Sequence, residues 1–254
     1  MTLKEKTIKG LAWSGISQFI KQIAQFAITV IFARMLYPDD FGLFAMALVI
    51  VNFLAVLMEM GMDKALIQKQ DIHDAHYSSV FWLTVFTGIC CAIFLILLSP
   101  SITAFYRKPE LKPMLMVMSV NFLFSSFVIV QQAIITKEMR FRELAIIDIS
   151  AFVGSGIIGI YLANNKWGAW SLVYQLLSYT LVDGALLWIF SSWKPRFYFS
   201  ISDIREVFHF SANLTGSNIV NYFARNIDKL LIGRFLGAQA LGYYSLSYRL
   251  MLFP

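Results

Sequence analysis

Long apolar runs recur along the whole chain, and each is followed by a short polar connection. Each complete run is close to the roughly 20 residues that an α-helix needs to cross the hydrocarbon core of a bilayer. Alternating segments of about ten residues, which indicate a membrane β-barrel, are absent from the sequence. The pattern predicts an all-α integral membrane protein, folded as a polytopic helix bundle. The predicted helices are 11–34, 41–60, 78–99, 114–135, 144–163, 167–190 and 207–233, with an eighth that opens near residue 240 and is cut off at Pro254.

The composition favours lipid over water as the solvent of this chain. Hydrophobic residues make up 58% of the sequence and charged residues only 14%, whereas a soluble domain has about 25% charged residues. The net charge is +6, but the basic residues are spread along the chain and do not form the patch that nucleic-acid binding needs. We therefore expect membrane lipids, and no nucleic acid, around the protein.

The lysines and arginines predict the orientation. Eleven of them fall in the basic leader and the even-numbered connections, against six in the odd-numbered connections. The positive-inside rule then places the N-terminus in the cytoplasm. We interpret the leader as part of a retained first span, because no small-residue cleavage site follows it. The predicted organisation is a six-helix lobe over 1–190, a cytoplasmic interfacial connector over 191–206, and the first two helices of a second lobe over 207–254.

An internal repeat links the two predicted lobes. The segment FARMLYPDDFGLFAMALVI (32–50) aligns without gaps with IGRFLGAQALGYYSLSYRL (232–250), so that Gly42 matches Gly242 at an offset of 200. Six helices separate the copies, so both copies run in the same direction, as in transporters built from parallel repeats. The second copy breaks off after some 50 residues, which predicts a truncated chain from a parent of at least about 400 residues.

Polar side chains occupy one face of the first helix and one face of the seventh. A lysine at bilayer depth costs roughly 2.5–3.5 kcal/mol, and such residues usually face a wet cavity or a partner. We therefore expect the two faces to line a shared hydrated cavity, whose surplus of cations favours an anion. These candidate substrate-binding residues are Gln18, Lys21, Gln22, Gln25, Asn218, Asn221, Arg225 and Lys229.

Two structural readings of the cations stay open. Arg225 and Asp228 are three residues apart and can neutralise each other, and Lys229 can extend to the membrane surface. Among the acids, Asp183 lies deepest and is a candidate proton or cation site, or a partner for a basic residue. Asp148 and Glu59 lie close to the predicted cytoplasmic ends, where an interfacial position is favoured. The candidates for ion coupling are Asp183, Asp228 and Asp148.

Signatures of an enzyme or a metal site are weak. His73 and His76 lack the further ligands of a zinc site, and the sequence contains no glycine-rich phosphate loop and no nucleophile elbow. We predict no metal, no cofactor and no enzymatic activity. Gly154, Gly156 and Gly159 form a stripe of small residues that favours close helix packing.

Four segments resemble a known family. They are KEKTIKGLAWSGISQF, ARMLYPDDFGLFAMALVI, QQAIITKEMRFRELAIIDI and RNIDKLLIGRFLGAQALGYYSLSYRL, and they are similar to polysaccharide transporters of the multidrug/oligosaccharidyl-lipid/polysaccharide exporter superfamily, above all to flippases of the O-antigen and colanic-acid type. The resemblance implies a parent of twelve to fourteen helices in the bacterial inner membrane, which flips undecaprenyl-diphosphate-linked oligosaccharides through a cationic central cavity. It implies the polysaccharide polymerase and chain-length machinery as candidate partners.

The resulting hypothesis is alternating access, with Lys21 and Arg225 attracting the diphosphate. Three rivals make different demands on the molecule. A cation-coupled multidrug-type exporter of the same superfamily needs an acidic cavity, and a membrane-embedded glycan-modifying enzyme needs large catalytic loops. A scaffold without transport predicts that the polar residues pair with one another and leave no hydrated space.

Overall fold

The computed structural model describes residues 3–69 and 72–251, and all regular secondary structure in these ranges is helical. The end of the predicted eighth helix, residues 252–254, lies outside the described ranges. The helices are α1 Leu3–Met35, α2 Pro38–Glu59, α3 Met62–Gln68, α4 Asp74–Tyr106, α5 Leu111–Met118, α6 Val120–Ser126, α7 Ile129–Lys137, α8 Phe141–Asn164, α9 Ala169–Phe190, α10 Ile201–Phe235 and α11 Gly237–Met251.

Five helical segments in the described part of the chain are long and apolar enough to cross a membrane. They are Pro38–Glu59, Asp74–Tyr106, Leu111–Lys137, Phe141–Asn164 and Ala169–Phe190. Large apolar side chains such as Phe86, Leu97 and Ile157 point outward from the bundle, where lipid and not water accommodates them at low cost. The chain is a multi-pass membrane protein, as predicted.

The fourth predicted helix is broken into α5, α6 and α7. At the breaks, the backbone forms the tighter i→i+3 hydrogen bonds, for example from Phe122 to Ser119 and from Val128 to Ser125, which are typical of a 3₁₀ turn. The hydroxyl of Ser126 donates to the carbonyl of Leu123 at 2.7 Å, and such back-bonding bends helices. Hydrophobic periodicity does not reveal these breaks, and it also did not predict the short helix α3.

Helix α2 lies at the centre of the bundle. It packs against α4, α5, α9, α10 and α11, whereas α1 packs on α8 and α8 on α9. Met46, Ala47 and Leu54 of α2 are almost fully buried, together with Leu95 of α4 and Leu115 of α5. Because α2 contacts helices of both predicted lobes, it forms the wall between them.

The two copies of the repeat cross each other at their glycines. A Cβ at Gly42 of α2 would overlap the carbonyl of Ala238 in α11, and a Cβ at Gly242 would overlap the carbonyl of Pro38. At the offset of 200, Ala238 is the counterpart of Pro38 and Gly242 is the counterpart of Gly42. The contact is therefore reciprocal, as in a symmetric helix pair.

The direction of the two helices follows from the residues beyond this crossing. Phe44 and Leu48 along α2, and Ser245 and Tyr248 along α11, line one cavity. Because the residue numbers rise together away from the crossing, α2 and α11 run in the same direction. The parallel repeat predicted from the sequence is confirmed.

Asp40 joins the beginning of α2 to the beginning of α9. Its Oδ2 accepts from the backbone N–H of Tyr37 at 3.0 Å, and its Oδ1 accepts from the backbone N–H of Ala169 at 2.9 Å. Gly168, directly before α9, adopts φ +53° and lies beside the carboxylate of Asp40, where a Cβ would crowd Oδ1. A single carboxylate thus caps two helix N-termini, where negative charge is favoured by the helix dipole.

Replacing Asp40 by alanine is expected to lower the free energy of unfolding by about 1–3 kcal/mol, because two capping hydrogen bonds are lost and each is worth about 1 kcal/mol. Unfolding of the detergent-purified protein measures this loss. Asp39→Ala is the matched control, since the exposed Asp39 is an acid in the same first turn of α2. Equal losses from both substitutions would contradict the double cap.

The connector between α9 and α10 is an extended segment over 191–200, shorter than the predicted 191–206, because α10 begins at Ile201. It runs along the start of α4, where the Trp82 indole donates to the carbonyl of Arg196 at 2.9 Å. The ring of Phe197 stacks on Trp82 with centroids 5.2 Å apart and is 97% exposed. An exposed aromatic residue at this level suits the interface between lipid and water.

Candidate functional site

Lys21 of α1 is paired with an acid on a different helix. Its Nζ lies 2.8 Å from both carboxylate oxygens of Asp148 in α8, and the Tyr179 hydroxyl of α9 donates to Asp148 Oδ1 at 2.6 Å. The Lys21 and Asp148 side chains are 27% and 34% exposed. The pair explains how α1 keeps a lysine against the bundle, because an ion pair with further hydrogen bonds offsets much of the desolvation cost.

Small residues on α8 set the register of α1. A Cβ at Gly156 would overlap Ile28, and a Cβ at Gly159 would lie 2.8 Å from the Phe32 ring. Because α8 has no side chains at these two positions, the apolar residues of α1 enter the gaps and Lys21 is brought level with Asp148. The packing role predicted for the glycine stripe is confirmed at Gly156 and Gly159, while a Cβ at Gly154 would meet no described atom of another helix within 4 Å.

The first cavity lies beside this ion pair and holds about 480 Å³. It is formed where α1, α2, α7, α8 and α9 meet, near the end of α2. One lysine faces three carboxylates here, so the lining is acidic when all four groups are charged. Its polar residues include Gln18, Lys21, Glu59, Gln132, Asp148, Tyr179, Thr180 and Asp183.

The second cavity, of about 420 Å³, adjoins the first, because Lys21 and Tyr179 line both. Its other polar residues are neutral: Gln25 and Thr29 from α1, Ser155 from α8 and Gln175 from α9. Phe44 and Leu48 of α2 form its apolar wall. Neutral amides and hydroxyls of this kind bind hydroxyl groups without demanding a charge.

The third cavity, of about 220 Å³, lies between α2, α10 and α11, and Phe44 and Leu48 separate it from the second. Lys229 lines it, donating to the Asn226 amide oxygen at 3.0 Å and lying 5.5 Å from the centre of the Tyr248 ring. Within the described residues, Lys229 has no ion pair with a carboxylate. The charge of Lys229 is therefore available to an anion, whereas the charge of Lys21 is already paired with Asp148.

The three cavities follow α2 along most of its length. The first touches Glu59 at the end of the helix, the second touches Leu48, and the third reaches Phe41 near the start. A helix of this length extends about 33 Å, close to the thickness of the hydrocarbon core. The polar interior thus runs through much of the membrane depth and ends near the α2–α11 crossing.

The structure places the predicted residues in different surroundings. Gln18 lines the first cavity, Lys21 the first and second, Gln25 the second, and Lys229 the third. The remaining four, Gln22, Asn218, Asn221 and Arg225, line none of the three cavities. Their role in binding stays a prediction.

The structure bears on the alternatives that the sequence left open for Arg225, Asp228 and Lys229. Asp228 accepts from the Tyr244 hydroxyl and from its neighbour's backbone N–H, and the exposed Arg225 forms no ion pair with it in the described structure. Lys229 faces the third cavity. Asp148, which the sequence favoured as interfacial, is the partner of Lys21, and Asp183 faces the same cavity.

Sequence reasoning missed Tyr179, Thr180, Gln132 and Asn121. The Thr180 hydroxyl donates to the Asn121 side chain at 2.8 Å and joins α9 to α6. These residues are scattered over three helices, so no single helical face marks them. The two histidines have a capping role, because the His73 backbone N–H donates to His76 Nδ1 at 3.3 Å at the start of α4. No cluster of three or more potential metal ligands occurs in the part of the chain that the structure describes.

Comparison with known proteins assigns this multi-pass helical chain to a family. The chain is a member of the polysaccharide biosynthesis protein family, whose family model matches residues 31–254. Aligned over its whole length, it is 30% identical to the teichuronic acid biosynthesis protein TuaB of Bacillus subtilis. It is 28% identical to the lipopolysaccharide biosynthesis protein WzxC of Escherichia coli and 29% identical to the succinoglycan biosynthesis transport protein ExoT of Rhizobium meliloti.

The chain spans about half the length of these curated relatives: 53% of TuaB, 52% of WzxC and 51% of ExoT. No solved structure matches the chain.

Proposed function

We propose that the full-length protein translocates lipid-linked oligosaccharides across the bacterial inner membrane for surface polysaccharide biosynthesis. The observation that carries the proposal is the series of three adjoining polar cavities inside an apolar bundle. One relative is named as a succinoglycan biosynthesis transport protein, which favours transport over an enzymatic activity. The N-terminus is in the cytoplasm, as the distribution of basic residues favours.

The cargo that suits the cavities has an anionic group, a sugar part and an apolar tail, as in an undecaprenyl-diphosphate-linked oligosaccharide. Lys229, which has no carboxylate partner among the described residues, contacts the diphosphate, and Arg225 attracts it from the exposed side of α10. Neutral side chains such as Gln25 and Gln175 hydrogen-bond sugar hydroxyls in the second cavity. The prenyl tail stays in lipid, because moving each CH₂ into a polar cavity costs about 0.8 kcal/mol.

The cycle is alternating access, in which the two repeat-related lobes rock around the central cavities. Asp183 is the favoured group for ion coupling, since it faces the first cavity and has no ion pair within the described residues. Asp148 is the second candidate: its protonation releases Lys21 to contact the cargo. Asp228 is less suited, because the Tyr244 hydroxyl already binds its carboxylate. The polysaccharide polymerase and chain-length machinery receive the product.

Substitution of the two polar faces together tests the proposal. In cells that depend on the full-length gene product, Lys21→Ala combined with Arg225→Ala is expected to lower surface glycan at least tenfold and to leave lipid-linked intermediates in the inner leaflet. Lys112→Ala, at an exposed lysine in the first turn of α5, is the control. Normal export by the double variant would refute the role of these cations.

The acidic lining of the first cavity favours a second candidate, a cation-coupled exporter of small organic cations. The cavity contains three carboxylates and one lysine, namely Glu59, Asp148, Asp183 and Lys21. Its net negative charge is what a cationic cargo needs. Deleting the gene distinguishes the two functions. Loss of surface glycan with unchanged susceptibility to organic cations supports the flippase, and the converse supports the exporter.

A further inference from the structure

We infer that the reciprocal contact of Gly42 and Gly242 is a gate: it lets α2 and α11 close one end of the central cavities, and it separates when that end opens to the cargo. The inference rests on the proposed transport function and names the residues that control passage. The end concerned is the one where α2 and α11 begin, which the proposed topology places on the noncytoplasmic face.

The geometry of the crossing first shows that closure depends on the missing side chains. Gly42 meets the backbone of Ala238 and Gly242 meets the backbone of Pro38, so a Cβ at either glycine would overlap a carbonyl. Four residues before its glycine, α11 has the small residue Ala238 and α2 has Pro38. A small residue four positions from a glycine is the spacing that lets helix backbones touch in membranes. At such distances the contacts are Cα–H to carbonyl oxygen, which are individually weak.

The surroundings of the crossing identify it as a boundary of the transport path. The third cavity begins at the crossing itself, at Phe41, and continues along α2 to Phe44 and beyond. Phe41 is the earliest α2 residue that lines any of the three described cavities. Leu241 is fully buried at the crossing and Phe41 is 5% exposed, so the seal is apolar. Beside it, Gly233 of α10 approaches Tyr106 of α4, where a Cβ would lie 2.9 Å from the ring.

The seal is also built to separate. Within the described residues no ion pair joins α2 to α11, and the contact consists of small residues and apolar side chains. Lys21 and Asp148, by contrast, tie α1 to α8 within one lobe. The ion pair thus lies inside the lobe, while the α2–α11 contact itself is held by packing, and the Tyr222 hydroxyl of α10 donates to the Val49 carbonyl of α2 beside it. When the lobes rock, the α2–α11 crossing therefore separates while the contact between α1 and α8 stays intact.

Accessibility of a reporter cysteine tests the seal. Ser245 lines the third cavity, and its buried hydroxyl has no hydrogen-bond partner in the described part of the chain. Ser245→Cys therefore reports water entry in the full-length protein with Cys90 and Cys91 replaced by serine. We expect Gly42→Ala or Gly242→Ala to raise its labelling by a membrane-impermeant maleimide from the noncytoplasmic side at least fivefold. Gly154→Ala, with open space around its Cβ position, is the control and is expected to change nothing. Unchanged labelling in folded Gly42→Ala and Gly242→Ala variants would overturn the inference.

A reversible cross-link keeps both glycines and does not depend on how the variants fold. Asp39→Cys and Gln239→Cys place two exposed thiols at the mouth of the crossing, on equivalent positions of the repeat. Joining them with a short cleavable bismaleimide is expected to stop glycan export, and cleavage is expected to restore it. Export by the cross-linked protein would overturn the gate. If the uncross-linked protein exports no glycan while labelling responds to Gly42→Ala, the proposed function fails and the gate stands.

Discussion

Replacing Asp148 by alanine is expected to lower glycan export by the full-length protein at least tenfold and its free energy of unfolding by about 1–3 kcal/mol. The carboxylate holds the Lys21 ammonium at 2.8 Å and accepts from the Tyr179 hydroxyl. Without it, the ammonium loses its direct salt bridge and keeps, among the described residues, only Asp183 and Glu59 across the cavity as counter-charges. Removing one partner of a fully buried pair costs about 3–5 kcal/mol. The cost is smaller here, because both side chains are partly exposed. Unfolding in detergent and quantified surface glycan measure the two effects.

An exchange of charges separates the structural role of this pair from its role in transport. Lys21→Asp combined with Asp148→Lys keeps the ion pair between α1 and α8 but moves the ammonium from one helix to the other. We expect the exchange to recover most of the lost stability and little of the lost export, since the cation no longer extends from the polar face of α1. Full recovery of export would mean that the pair only holds the helices together.

Replacing Lys229 by glutamine is expected to lower export roughly 10- to 100-fold with little change in stability. A charge-assisted hydrogen bond contributes about 1.5–3 kcal/mol, which corresponds to this range at 1.4 kcal/mol per tenfold. Stability changes little because the structural partners of Lys229, the Asn226 amide and the Tyr248 ring, are uncharged. Concentration-dependent translocation in proteoliposomes distinguishes weaker cargo binding from slower turnover.

The controls for Lys229 follow from the same geometry. Lys229→Arg preserves the positive charge and the cation–π contact, so it is expected to keep most of the activity. Lys112→Gln removes a positive charge from the exposed first turn of α5 and is expected to have no effect. If the glutamine and arginine variants behaved alike, the charge of Lys229 would not serve the cargo.

The helices and their polar faces could be predicted from the sequence because both follow from periodicity within one segment. The polar faces of α1 and α10 were predicted in this way, and so was the parallel repeat through Gly42 and Gly242, but of the α10 candidates only Lys229 lines one of the described cavities. The partner of Lys21 could not be predicted, since Asp148 is 127 residues away and periodicity defines a face without naming its neighbour. The surplus of positive charge was inferred from α1 and α10 alone. Glu59, Asp148 and Asp183, on three other helices, make the first cavity acidic.

The breaks in the fourth span were missed for a related reason. Ser119 and Ser126 lie within a continuous apolar run, and nothing in its hydropathy marks them. Their hydroxyls bond to carbonyls three residues earlier, and Gly88 of α4 allows α6 to approach closely, since a Cβ there would lie 2.9 Å from the carbonyl oxygen of Phe122. The local bend is thus set by packing between helices, which a single segment does not encode.

We expect the polar face of α1 to border water and its opposite face to border lipid or protein. Single cysteines at Gln18 and Gln25 test one face, and single cysteines at Phe19 and Ile23 test the other, each in the full-length protein with Cys90 and Cys91 replaced by serine. We predict that a small water-soluble maleimide labels the first two rapidly and the last two at least tenfold more slowly, because alkylation requires a hydrated thiolate. Equal labelling of both faces, or faster labelling at Phe19 and Ile23, would mean that α1 has no hydrated polar face.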